Sequence, residues 1–97
     1  MDVRIQAIHF EIADKLTDFI NKKADKLARR FPAITAVDAT LKVVKPETAM
    51  NKEAVVKVIV PHQAEQVATK VADTFEEAVD VAIEAIERQL EKDKNKK

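Results

Sequence analysis

Ninety-seven residues without a cysteine, glycine or serine suit one small domain, and they exclude disulfides, thiolate chemistry, glycine-rich phosphate loops and a serine nucleophile. Apolar residues make up 46% of the chain and charged residues 35%, so a modest core must sit beneath a heavily charged surface. Seventeen basic and seventeen acidic residues cancel, which argues against a chain that binds nucleic acid over its whole surface.

In chain order, Val3, Ile5 and Ala7 alternate with Arg4 and Gln6, which predicts a strand. Leu16, Ile20, Ala24, Leu27 and Phe31 then recur at helical spacing on one face, with Asp14 as the expected N-cap and Pro32 as the stop. A second strand follows over residues 37–43, where Val37, Ala39, Leu41 and Val43 alternate with polar residues. The stretch 45–52 reads as a mobile loop. A third strand spans 54–60, with Val56, Val58 and Val60 on one face, and Pro61-His62-Gln63 turns the chain. The fourth strand, 66–71, sets Val67, Thr69 and Val71 against Ala68 and Lys70. Thr74-Phe75-Glu76-Glu77 has the form of a capping box and opens a long helix whose apolar stripe is Phe75, Val79, Ala82, Ile83, Ile86 and Leu90. Residues 92–97 form a basic tail expected to fray.

The order β-α-β-β-β-α predicts an α+β fold: a four-stranded sheet with two helices on one face and the other face solvated. Residues 1–97 read as a single domain. With no glycine, turns that need a positive φ are expected on Asn or Asp. No segment approaches the roughly 20 apolar residues of a bilayer span, and the opening Met1-Asp2-Val3-Arg4 has no signal-peptide core, so a cytoplasmic protein is expected.

The zero net charge hides a segregated distribution. Residues 14–30 hold six basic and three acidic side chains, residues 73–87 six acidic and no basic, and residues 88–97 five basic and two acidic. On the first helix Lys15, Lys22, Lys26 and Arg29 fall within about 60° of one another, nearly opposite the apolar stripe, while Lys23 and Arg30 flank it. A solvated face is the simpler reading of that pattern. The sharper reading is a stripe of long cations on a rigid helix, suited to tracking a phosphate backbone. On the second helix Glu76, Glu77, Asp80, Glu84, Glu87 and Glu91 share one broad face, best explained by solvation and by the helix dipole. RNA would have to approach past Arg88, Lys92 and Lys94.

Other chemistry finds little support. His9 and His62 suit turn or surface positions, and with no cysteine they suggest no metal site. No nucleophile–base pair is visible, so neither an enzyme, nor a cofactor, nor a small-molecule substrate is expected. The four phenylalanines leave no aromatic strand for stacking bases, so any RNA would be recognised by phosphate and shape.

Residues 5–30 resemble the opening of bacterial hibernation-promoting factors and ribosome-associated inhibitors: a strand, the helix entry Ile12-Ala13-Asp14-Lys15-Leu16, and the helix core Lys23-Ala24-Asp25-Lys26-Leu27. The run from Thr74 to Asp80, followed by Arg88-Gln89-Leu90-Glu91-Lys92-Asp93-Lys94, resembles that family's terminal helix. The resemblance implies a fold like a double-stranded-RNA-binding domain extended by one strand. It implies binding to the small ribosomal subunit in the mRNA/tRNA channel, contact with ribosomal RNA and inhibition of translation. By position, the RNA contacts implied are Lys22, Lys23, Lys26, Arg29, Arg30, Arg88, Lys92 and Lys94. The chain looks like a short form without a dimerising domain, and a monomer is expected. It departs from the family pattern at Ala7, where many relatives have Gly, at Ala13, where a capping Thr is common, at Ala85, often basic, and at Asp93, often His. The alternative reading is a non-enzymatic protein-interaction module that uses the acidic helix face or the open sheet face.

Overall fold

The structure, a computed structural model, describes residues 1–44 and 50–95, the last three by their backbone only. Six elements follow one another: β1 (Asp2–Ala7), α1 (Asp14–Arg30), β2 (Ala36–Val43), β3 (Lys52–Ile59), β4 (Gln66–Ala72) and α2 (Phe75–Asn95). The sheet order is β1-β2-β3-β4. β1 lies parallel to β2, which requires a crossover, and α1 supplies it. The pairs β2–β3 and β3–β4 are antiparallel, so the last three strands form the expected meander.

Both helices lie on one face of this sheet. From below, Val37, Ala39 and Leu41 of β2 and Ala54, Val56 and Val58 of β3 point into the core. From above come Leu16, Ile20, Ala24 and Leu27 of α1, and Ala78, Val79, Ala82, Ile83, Ile86 and Leu90 of α2. Val3 and Ile5 are only half-buried, because β1 is an edge strand. Phe10 stacks on Phe75 with ring centroids 4.9 Å apart, joining the entry of α1 to the first turn of α2.

The helix ends depart in part from expectation. The N-cap of α1 is Ala13, not Asp14: Ala13 has extended backbone (φ −75°, ψ 149°) and offers no capping side chain, and Asp14 is already helical, where its charge suits the dipole. α1 ends at Phe31, whose N–H donates to the Leu27 carbonyl at 2.9 Å, one residue before Pro32. The Thr74 hydroxyl caps α2 as expected, accepting the Glu77 N–H at 3.1 Å. The fraying expected from Lys92 concerns a segment that is helical through Asn95, and residues 96–97 lie outside the described residues.

The turns also differ from expectation. Positive φ falls on His9 (62°), Met50 (54°) and His62 (66°), not on Asn or Asp. Histidine tolerates the left-handed region better than most residues. Met50 is held there by its N–H, which donates to the Asp73 carboxylate at 2.7 Å. The loop expected over 45–52 falls mainly on residues outside the described ones; Lys52 already belongs to β3.

Candidate nucleic-acid interface

The two helices run parallel. The contacts between them show the direction: Lys23 pairs with Asp80 at 2.7 Å, and Arg30, seven residues on, pairs with Glu87 at 2.5 Å, also seven residues on. Arg30 reaches Glu91 as well. The C-terminal ends of α1 and α2 therefore lie at the same end of the molecule. Arg29 and Arg30 sit in the last turn of α1, where cations complement the helix dipole, and Arg88 and Lys92 lie toward the same end of α2.

This arrangement divides the eight predicted contact residues. Lys22, Lys26 and Arg29 are exposed and form no ion pair with a described residue, and Lys15 continues their stripe toward the start of α1. Lys23 and Arg30 turn toward α2 instead. Lys23 Nζ sits 5.5 Å from the Phe19 ring centroid, and the Arg30 guanidinium 5.5 Å from that of Phe31. With their carboxylate partners these two cations link the helices, while the Arg30 side chain stays 53% exposed. Arg88 is exposed and lies 3.9 Å from Glu84, one turn before it. Lys92 is exposed, and the side chain of Lys94 lies outside the described residues.

The acidic face of α2 is not purely solvated. Asp80, Glu87 and Glu91 are the partners of the α1 cations. Sequence reasoning missed this cross-helix pairing, although a signal exists: a seven-residue spacing separates Lys23 from Arg30 and Asp80 from Glu87, and two turns of parallel helices bring such pairs into register.

A cleft of about 260 Å³ opens where the end of α1 meets the β3–β4 turn, lined mainly by apolar groups of Phe31, Pro32, Ala33, Val60 and Leu90. A second, of about 380 Å³, lies on the open sheet face between Asp38, Thr40, Val55, Lys57 and Val67. Among the described residues no group of three or more His, Asp or Glu could hold a metal ion, and no helix is long and apolar enough to cross a membrane. His9 and His62 are both exposed.

The fold is that of known structures. A ribosomal subunit interface protein from Coxiella burnetii superposes with a TM-score of 0.86 at 21% identity, covering 99% of this chain and 100% of the other. The N-terminal domain of Protein Y from Thermus thermophilus superposes with a TM-score of 0.78 at 19% identity, covering 95% and 98%. No curated protein sequence matches the chain. The family model described as sigma 54 modulation protein / S30EA ribosomal protein matches residues 3–97, and the chain belongs to that family.

Proposed function

We propose that this protein binds the small ribosomal subunit in the mRNA/tRNA channel and holds the ribosome idle by excluding messenger and tRNA. The observation that carries the proposal is the stripe of Lys22, Lys26 and Arg29: three cations on one rigid helix, exposed and free of ion pairs with described residues, in a chain of a ribosomal-protein family. Such a stripe neutralises backbone phosphates without reading sequence. The Coxiella protein of the same fold is named for the ribosomal subunit interface, which agrees with this reading.

In this proposal Lys22, Lys26 and Arg29 are the primary contacts with ribosomal RNA, and Arg88, Lys92 and Lys94 form a second group at the end of α2. Lys23 and Arg30 contribute only by exchanging a carboxylate partner for phosphate. The protein acts as a monomer that fills space, with no bond made or broken.

The test is competition. Labelled tRNA and a short messenger are bound to purified small subunits, and the protein is added in increasing amount. Displacement of both supports channel occupancy. Ternary complexes that keep tRNA and messenger while the protein is bound place it elsewhere and sink the channel reading.

A second reading has one observation in its favour. Val67 and Val71 are exposed at 47% and 37% on the open face of β4. If that face docks a protein partner, Val67→Lys removes the association and leaves RNA binding untouched.

A further inference from the structure

The outer surface of the helical layer carries charge in bands. The outer flank of α1 holds Lys15, Lys22, Lys26 and Arg29, all exposed and without an ion pair to a described residue. Next comes the seam, where Asp80, Glu87 and Glu91 hold Lys23 and Arg30. At about 100° per residue, the acids of α2 span about 100° of its circumference, from the seam outward to Glu77 and Glu84. Only beyond them do Arg88 and Lys92 appear. The two basic groups are thus separate tracks with carboxylates between them.

We propose that the acidic band is a specificity element: it makes the helical layer a two-track surface that fits a concave RNA surface presenting phosphates to both flanks and turns away a single straight duplex. This inference rests on the ribosomal-RNA reading above and names the shape of RNA that reading requires. A lone duplex laid across the layer must set phosphates over the carboxylates, and it gains Arg30 only by displacing Glu87 and Glu91. A cleft with RNA on two sides meets each track separately and leaves the band facing open space. The acids cost affinity everywhere, but they cost most for ordinary RNA, which is in large excess in a cell. The same arrangement explains how a chain of zero net charge can engage RNA at all: the positive charge is concentrated in two places, and the compensating negative charge is placed where the wrong partner would lie.

The test compares the full chain with the variant Glu87→Gln/Glu91→Gln. Both side chains are partly exposed, at 30% and 44%, so the amides fit without repacking, and circular dichroism checks the fold. Fluorescence anisotropy of labelled protein is followed against a plain RNA duplex and against small ribosomal subunits over a salt series. The proposal expects duplex affinity to rise on the order of tenfold and its salt slope to steepen by about one as Arg30 becomes available. Affinity for subunits is expected to change by less than about threefold, so the preference for subunits falls. A folded variant whose duplex affinity and slope equal those of the parent overturns the proposal, as does an equal gain on both RNAs. Failure of the parent chain to bind subunits at any salt contradicts the ribosomal reading instead, and the duplex arm still tests whether the band repels.

Discussion

Ala13 caps α1 with no side-chain oxygen, so the first-turn N–H groups must turn to water or to the backbone. The backbone answers in part: the Leu16 and Thr17 N–H groups both donate to the Ala13 carbonyl, at 3.0 and 3.1 Å. Ala13→Thr restores a capping hydroxyl and is expected to raise stability by about 0.5–2 kcal/mol. The urea midpoint should rise with an unchanged m-value; a midpoint that stays put means the helix start is already satisfied. At the other helix the sign reverses, since Thr74→Ala removes a cap that is present. His62 is a different kind of position. Its φ of 66° is costly for a side chain with a Cβ, and the tight Pro61-His62-Gln63 turn fixes it there. His62→Gly should stabilise by up to about 1 kcal/mol and His62→Val should destabilise by at least that much, both read by thermal unfolding. Equal Tm values for the two variants would mean the turn has relaxed out of the left-handed region.

At the scale of elements, α1 presents two opposite faces. Leu16, Ile20, Ala24 and Leu27 bury one face, while Lys22, Lys26 and Arg29 occupy the other. Reversing the charge of those three residues to Glu should abolish binding to small subunits and shift Tm by only a few degrees, since exposed charges contribute little to stability. A folded triple variant that binds fully removes α1 from the interface. The helices and strands were legible in the sequence because hydrophobic spacing of about 3.6 and of 2 is carried by the core residues themselves, from Leu16 to Leu27 and from Val37 to Leu41. The inward face of β4 was not legible. Its larger residues Val67 and Val71 face solvent, whereas Ala68 and Ala72 face the core. The reason is close packing. α2 lies over β3 and β4 with Ala78 and Ala82 on its buried face, and small residues are needed on both sides of that contact. Hydrophobicity alone reads such a strand backwards. Ala68→Leu should therefore cost about 1–3 kcal/mol by overpacking, in spite of the added apolar area; an unchanged unfolding midpoint would show that the layer has room to spare. The α1 stripe was legible as a pattern of charge, but the fate of Lys23 and Arg30 was not, because their partners lie 57 residues away and only the parallel packing of the helices brings them together.

At the scale of the whole molecule, the protein is a body of two layers, 46 × 23 × 17 Å. One broad surface is sheet, mixed in charge; the other is helical and banded. In the proposed function a body of that shape acts by where it fits and which charges it presents, and the chain belongs to the sigma 54 modulation protein / S30EA ribosomal protein family. The most direct test of the central claim is cosedimentation of the purified protein with small ribosomal subunits across a salt series. The proposed function predicts near-complete binding at low salt that falls steadily as salt rises, with a log–log slope of about −2 to −4 for the few phosphates the free cations can neutralise. A folded protein that stays in the supernatant at every salt concentration, or that sediments equally at all of them, contradicts it.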